Sequence, residues 1–375
     1  MRVLFVVYRD FKNPAAVGGD LYHWELARGL SELGNKVTIL CSSFEGSKAE
    51  EVVDGVRIIR KKGIWSLPLK FLYAYIRKLG FNCDVVVEEA FGGQRFPFFC
   101  TFYVKKPLAA VWHQRHDKIF REQYPFFLAQ ALSFLEWGLA ALYRKRTIVT
   151  PSSGAKRKLM PLGFKSDNIE VVHDGVGEMF RDVKLNSERE ETIVCLGKMR
   201  RYKRIDHAVL GFGIALKSTV KPCRLVVAGK VSEIDRGYVD ELRRLAERNG
   251  VGKQVEFMIN ISEEEKLTLL KNARILVQPS PVEGFSIVVA EANRCGTPVV
   301  VSDGVPFDVV RDGHNGFVYP YGDINAFACR IVDLLNNEET WKEMSKNAYE
   351  WSKQFTWECS SLKLEKILKN LVLKK

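Results

Sequence analysis

The chain has 375 residues, 57 Lys plus Arg against 45 Asp plus Glu, a formal net charge of +12 and 46% apolar residues. That length suits two ordinary domains rather than one, and the composition excludes a disordered or fibrous chain. No apolar run reaches the roughly 18 uncharged residues of a membrane span: the nearest, Phe126–Tyr143, is interrupted by Gln130, Ser133, Glu136 and Gly138. That run is expected to be a buried helix. Val3–Tyr8 meets Arg9 and Asp10 at once, so no signal peptide is expected.

Short β-branched runs alternate with longer helical stretches. In the first half the expected strands are Val3–Tyr8, Val37–Cys41, Val85–Glu88, Ala109–Trp112, Thr147–Thr150 and Glu170–His173. In the second they are Thr192–Leu196, Arg224–Ala228, Val255–Met258, Arg274–Gln278, Pro298–Ser302 and Phe317–Tyr319. Between them, Leu21–Leu33, Asp235–Asn249, Glu263–Asn272 and Asn325–Leu335 place apolar residues three and four apart, as helices do. Strand, helix, strand at this spacing implies parallel sheets with helices on both faces. The twelve strands divide six and six about the polar stretch Asp174–Glu190. The fold class expected is α/β, with two Rossmann-like, doubly wound domains meeting near residue 180 and a cleft between them. Ligands of such sheets lie beyond the carboxyl ends of the strands.

Eight cysteines are scattered, the closest pair 17 positions apart, with no CxxC or Cys/His ligand spacing. They are expected to be free, buried thiols, with neither a zinc site nor a disulfide framework. Charge is uneven. Residues 1–180 hold 26 basic against 18 acidic residues, and Arg57–Lys78 holds seven cations and no acid among Trp65, Phe71, Tyr73 and Tyr75.

The strongest chemical signal lies in the second half. Strand Arg274–Gln278 leads through Glu283, Gly284, Phe285 and Ser286 into a helix containing Glu291, which Gly296 should close as a left-handed cap. Eight residues of helix would separate the two carboxylates by roughly 12 Å, about the distance across the diphosphate of a sugar nucleotide. The amides of Gly284–Ser286 at the helix start suit an anion between the two acids. Strand Thr192–Leu196 ends at Gly197, followed by Lys198, Arg200, Arg201, Lys203 and Arg204. That puts five cations at the carboxyl edge of the sheet, where a diphosphate would sit and its departure would be stabilised.

Glu283-Gly284-Phe285 through Glu291 resembles the E-x7-E motif of the retaining glycosyltransferases of family 4, the group 1 glycosyltransferases, whose fold is GT-B. Gly197-Lys198 through Lys203 is similar to that family's glycine–cation element. Gly18-Gly19, Asp174-Gly175-Val176 and Pro306–Val310 with Asn315-Gly316-Phe317 are similar to its N-terminal glycine loop, its interdomain turn and its proline–acid segment. The resemblance implies an acceptor-binding domain over 1–180, a nucleotide-sugar domain over 181–355 and a last helix, 356–375, crossing back to the first domain. It implies that Glu283 meets the donor sugar, Glu291 the ribose, and Lys198 and Lys203 the diphosphate. Gly19, Gly197, Gly284, Phe285 and Ser286 would complete the donor site. His113, after Ala109–Trp112, would lie beside the transferring sugar, although His116 stands close enough to compete for that place. Lys198 where Arg is common, Leu21 where an acid is common (with Asp20 adjacent) and Asp174 where Asn is usual are departures that bear on donor and acceptor.

The expected activity is transfer of a hexose, with retention, from a UDP- or GDP-linked donor to a lipid-linked or saccharide acceptor, with no metal and no further cofactor. Phe96, Phe98, Phe99, Phe102 and Tyr103 before Lys105-Lys106 repeat the basic, aromatic pattern of Arg57–Lys78. Both stretches read either as core with solvated lysine rims or as a face for an anionic membrane. A cytoplasmic enzyme, peripheral at the membrane, is the location expected. The competing readings are an epimerase or hydrolase of nucleotide sugars and a basic nucleic-acid-binding protein. No nucleic-acid motif supports the second, and no G-x-G-x-x-G after Val3–Tyr8 supports a dehydrogenase.

Overall fold

The computed structural model describes residues 1–80, 82–91, 97–186 and 188–374. The chain forms two compact units, Met1–His116 with Leu132–Gly175 and Phe355–Lys375, and Asp117–Ala131 with Val176–Gln354.

The first unit is built on an eight-stranded sheet: β1 (Arg2–Val6), β2 (Lys36–Ser42), β3 (Glu50–Val53), β4 (Val56–Lys61), β5 (Val85–Glu89), β6 (Leu108–Val111), β7 (Thr147–Thr150) and β8 (Ile169–Val171). The spatial order is β3-β4-β2-β1-β5-β6-β7-β8, parallel throughout except for β3. Its helices are α1 (Gly18–Glu32), α2 (Leu67–Ala74), α3 (Cys100–Tyr103), part of α5 (Phe126–Tyr143), α6 (Ser153–Leu159) and α13 (Trp357–Leu373), while α4 (Asp117–Gln123) belongs to the second unit. Helices cover both faces, so β1 is apolar on both sides. Val3 and Phe5 pack in one core with α1 and α13, Leu4 and Val6 in another with α2.

Eight strands stand where six were expected. β3 carries Glu50 and Glu51 at the sheet edge, and β4 lies within the basic stretch, so neither shows a plain apolar alternation. The hairpin joining them has an Asp54-Gly55 turn with both residues at positive φ, 47° and 77°, the left-handed pair that matches strand twist.

α5 corrects a second expectation. Only one stripe is buried, Ala129, Glu136, Leu139, Ala140 and Tyr143, while Phe127, Phe134 and Trp137 are exposed. Apolar residues occupy most of the helix's circumference, and one side of a sheet can cover only one face of it. By length and composition alone it is long and apolar enough to cross a membrane.

The second unit has β9 (Glu190–Leu196), β10 (Arg224–Gly229), β11 (Val255–Ile259), β12 (Ala273–Gln278), β13 (Val299–Ser302) and β14 (Gly316–Tyr319) in the order β11-β10-β9-β12-β13-β14, all parallel. Its other helices are α7 (Ile205–Ala215), α8 (Arg236–Arg248), α9 (Glu263–Asn272), α10 (Ile287–Arg294), α11 (Ile324–Asn336) and α12 (Glu338–Ser352). In chain order this sheet reads 3-2-1-4-5-6, and the strand order reverses between β9 and β12. That reversal is where doubly wound sheets open a crevice for ligands.

All eight cysteines are free; Cys329 and Cys359 are exposed and the other six are buried. The aromatics of the basic stretches divide. Phe71, Tyr75 and Phe98 are buried, Trp65, Tyr73 and Phe102 are exposed, and Phe96 lies outside the described residues.

Candidate active site

The carboxyl ends of β9 and β12 lie side by side at the reversal of strand order. β9 runs out at Gly197, whose φ of +150° is open only to glycine without strain. Half-buried Lys198 follows, then a tight turn over Arg201–Lys203. From β12 the chain leaves through Gln278 and Ser280 to Glu283. Lys203 Nζ donates to Glu283 Oε1 at 2.6 Å, and Gln278 Nε2 donates to the same oxygen at 2.8 Å. Gln278 Nε2 also reaches Ser280 Oγ at 2.9 Å.

Both charges of this pair are held. Burial works against the Lys203 ammonium, but the adjacent Glu283 carboxylate outweighs it and the lysine lies above its ordinary value. Burial likewise opposes ionisation of Glu283, and Lys203, Ser280 and Gln278 together bring its carboxyl below the usual range. The sequence pointed to Lys203 and Glu283 separately; the structure brings them into contact.

Gly284, Phe285 and Ser286 lie between Glu283 and α10. Ser286 is the residue before the helix and adopts φ 78°, ψ 74°, a left-handed conformation that is strained for a side chain of this kind. Helix therefore begins only at Ile287, which corrects the 12 Å ruler: half of the segment from Glu283 to Glu291 is loop. Gly296, at φ 68°, follows the last turn as expected.

Glu291 is buried and paired with a different cation. Lys266 Nζ on α9 lies 2.7 Å from Glu291 Oε1 and 2.5 Å from Glu263, with its ammonium 5.2 Å from the Phe180 ring. Burial raises the Glu291 carboxyl, and Lys266 only partly opposes it. Glu291 Oε2 is buried and has no hydrogen-bond partner, so the carboxylate keeps one acceptor available.

In the first unit, Gly19 and His113 come together. A methyl group on Gly19 would lie 3.1 Å from His113 Nε2, which is itself buried and unpartnered. The His113 ring packs edge-on against Tyr22 and His23, at 5.2 and 5.3 Å between centroids. Burial, with smaller contributions from His23 and His116, pushes its pKa down to about 3, so the imidazole is neutral. The competing His116 is engaged elsewhere, its Nδ1 2.9 Å from Glu136 Oε1 on α5. Asp20, beside the exposed Leu21, is buried and accepts from the Val17 amide at 2.7 Å, serving as the acid of the first turn of α1. Asp174 is buried, and burial raises its carboxyl to about 8.

Sequence reasoning missed Lys266 and Gln278. Gln278 ends a strand that was recognised, one step before the loop carrying the motif. Lys266 stands on another helix, 25 residues from its partner, and no local pattern marks it. Among the described residues, no group of three His, Cys, Asp or Glu side chains is placed to hold a metal ion.

Residues 178–351 match the family described as Glycosyl transferases group 1, and residues 18–177 match Glycosyltransferase Family 4. The chain belongs to this glycosyltransferase family, and its fold is GT-B. The D-inositol 3-phosphate glycosyltransferase of Mycobacterium tuberculosis is 30% identical over 228 residues, 57% of this chain and 46% of that protein. The match thus spans about half the length of that curated relative. Among solved structures, sucrose-phosphate synthase from Thermosynechococcus elongatus has a TM-score of 0.80 at 18% identity, over 100% of both chains. Anabaena HepE, in a complex with UDP and glucose, has a TM-score of 0.74 at 16% identity, over 99% of this chain and 100% of that one. At these identities the likeness is one of fold.

Proposed function

We propose that the protein transfers a hexose, with retention of configuration, from a nucleoside diphosphate sugar to a saccharide or lipid-linked acceptor. The observation that carries this reading is the buried Lys203–Glu283 pair at the point where the second sheet reverses its strand order. A lone buried ion pair contributes little to stability. One at a ligand crevice stores an ammonium and a carboxylate ready for exchange. An arriving diphosphate takes the ammonium from Glu283, and the carboxylate so released accepts from hydroxyls of the donor sugar.

Lys198 supplies a second positive charge. Ammonium groups and the N-terminal end of α10 then meet the negative charge that grows on the diphosphate as the glycosidic bond breaks. The unpartnered Oε2 of Glu291 fits the ribose, whose hydroxyls donate hydrogen bonds. Neutral His113, next to Gly19, presents a polar ring edge to the transferring sugar. The acceptor attacks from the face the diphosphate leaves, which is the stereochemistry of the family. UDP and GDP are the nucleotides we favour, and the charges named here act without a metal ion. HepE, solved with UDP and glucose, supports the donor class. We place the enzyme in the cytoplasm, peripheral at the membrane, on the strength of the cations of β4 and α2.

Thermal unfolding with a panel of nucleotide sugars tests the reading. A donor at a hundredfold its Kd stabilises by about 2.7 kcal/mol. A UDP- or GDP-sugar should raise the midpoint, and mass analysis should show a glycosylated acceptor. A stabilised protein that only epimerises or hydrolyses the donor would overturn transfer. No response to any nucleotide sugar, with tight oligonucleotide binding near physiological salt, would overturn the donor site.

A further inference from the structure

A groove of about 640 Å³ opens in the first unit between α2 and the strands β2, β3 and β4. Leu40, Ile59, Leu69, Tyr73, Ala74 and Leu79 give it apolar walls, and its volume is that of a ligand site. Arg57, Lys61, Lys70 and Arg77 also line it. Glu50 is the one acid of the lining, and Arg57 holds it at 2.6 Å. Lys70 donates to the Lys62 carbonyl, and the Arg77 guanidinium lies 5.2 Å from the Tyr73 ring. Among the described residues no carboxylate pairs with Lys61, Lys70 or Arg77. An apolar trough edged by three unneutralised cations has the polarity of an anionic amphiphile turned inside out.

The surroundings fit the same occupant. Trp65, just before α2, and Leu69 on it are 76% and 71% exposed, and Tyr73 on α2 and Ile76 in the turn of helix that follows are exposed as well. α2 is joined to α3 through Phe71 and Tyr103, with ring centroids 6.0 Å apart, and α3 to α5 through Thr101 and the Leu142 carbonyl. Tyr143 of α5 donates to Glu88 at 2.8 Å. Glu88 lies two residues from Val86 on β5, on the sheet face that shares a core with α2. So α2, α3 and the carboxyl-terminal part of α5 form one layer, on the face opposite α1 and α13. Exposed Phe102, Phe134 and Trp137 therefore lie on the same side as the groove.

We propose that this layer rests on an anionic bilayer and that the groove binds one of its lipids. An aliphatic chain lies against Leu40, Ile59 and Leu69, and the phosphate on Lys61, Lys70 and Arg77. The exposed rings of α2 and α5 sit at the headgroup level, where aromatic side chains are favoured. The inference rests on the membrane-side part of the proposed function, and it names the lipid chemistry and the residues that read it.

The test uses the full chain without donor, so that lipid binding can fail while sugar transfer survives, and the reverse. Vesicles of phosphatidylcholine alone are compared in sedimentation with vesicles holding about a quarter phosphatidylglycerol. The chain should bind only the second. Lys61→Gln with Lys70→Gln should weaken partitioning about 30-fold. Ala74→Trp fills the groove with every cation kept, and should weaken it about tenfold; Leu69→Gln reads the same contact should that variant not fold. Equal binding to neutral vesicles would overturn the proposal. So would unchanged binding by the groove variants, which would leave only diffuse attraction of a basic surface.

Discussion

Lys203 Nζ lies 2.6 Å from Glu283 Oε1, and neither side chain is more than about a fifth exposed. Each makes the other tolerable where it stands: without the ammonium, Glu283 would be a buried charge with only neutral donors. Lys203→Met should therefore destabilise the chain by about 3 kcal/mol. Glu283→Gln should be milder, because it keeps a polar partner for Gln278 and leaves an ammonium that can extend toward water. The double variant should recover part of the loss, which a urea-unfolding cycle would show as coupling. Glu283→Ala should abolish transfer with an unchanged circular dichroism spectrum; wild-type turnover in that variant would contradict the assigned role.

The pair also sets a pH window. Glu283 is held below its ordinary carboxyl value and Lys203 above its ordinary ammonium value. The stabilisation from Glu283 is present above the unfolded carboxyl value and lost as pH falls through the folded one. That from Lys203 is present below the unfolded ammonium value and lost as pH rises through the folded one. Stability measured against pH should show a plateau at neutrality that Lys203→Met with Glu283→Gln flattens.

Glu291 behaves in the opposite sense. Burial raises its carboxyl despite Lys266, so ionising it in the folded state works against stability, increasingly as pH rises above the unfolded value. Glu291→Gln should be as stable as wild type or more so near neutral pH. It should lose donor affinity by about tenfold or more, because a hydrogen bond to a charged acceptor is replaced by one to an amide. Calorimetric titration with the nucleoside diphosphate checks this, and unaltered affinity would remove Glu291 from the donor site.

Much of this arrangement was readable from residue order. The strands of the second unit are runs such as Ile193–Leu196 and Ile275–Val277, buried on both sides of a parallel sheet, and such runs announce themselves. Glu283 and Lys203 stand in loops directly after two of those strands, where topology must gather them. The β3–β4 hairpin escaped because charged residues mask its alternation, although Asp54-Gly55 between Val53 and Val56 was a usable turn signal. The exposure of α5 was illegible for another reason: an evenly apolar helix does not say which face the sheet will cover. The partnership of Glu291 with Lys266, and that of Gly19 with His113, depends on how separate helices and strands pack, which no spacing along the chain records.

Asp174, beside the glycine at the end of the first unit's second segment, is buried with its carboxyl raised to about 8. Below the ordinary aspartate value both folded and unfolded chains keep the proton. Between that value and about 8 only the unfolded chain releases it, so stability falls as pH rises through this range, by up to about 1.4 kcal/mol per pH unit. Asp174→Asn removes the ionisation and keeps the shape. Its advantage over wild type should widen from pH 5 to pH 8 in urea midpoints; a constant difference would show that Asp174 is not buried as a neutral acid.

Gly19 and His113 make the last prediction. A Cβ at Gly19 would stand 3.1 Å from His113 Nε2, tighter than ordinary packing, so Gly19→Ala must push the ring by a few tenths of an ångström. Gly19 is the second residue of α1, where alanine is a better helix former than glycine, so the substitution should not lower stability. His113 is neutral, with its pKa near 3, and works by position rather than by charge. Gly19→Ala should then reduce kcat by about tenfold to a hundredfold, as a misplaced polar contact does, with little change in donor KM. His113→Gln should restore a polar contact at this place better than His113→Phe does. Rates should also show no ionisation of His113 between pH 5 and 8. A kcat profile with a histidine-like transition that vanishes in His113→Gln would mean the ring takes up a proton during turnover, and the positional role would be wrong.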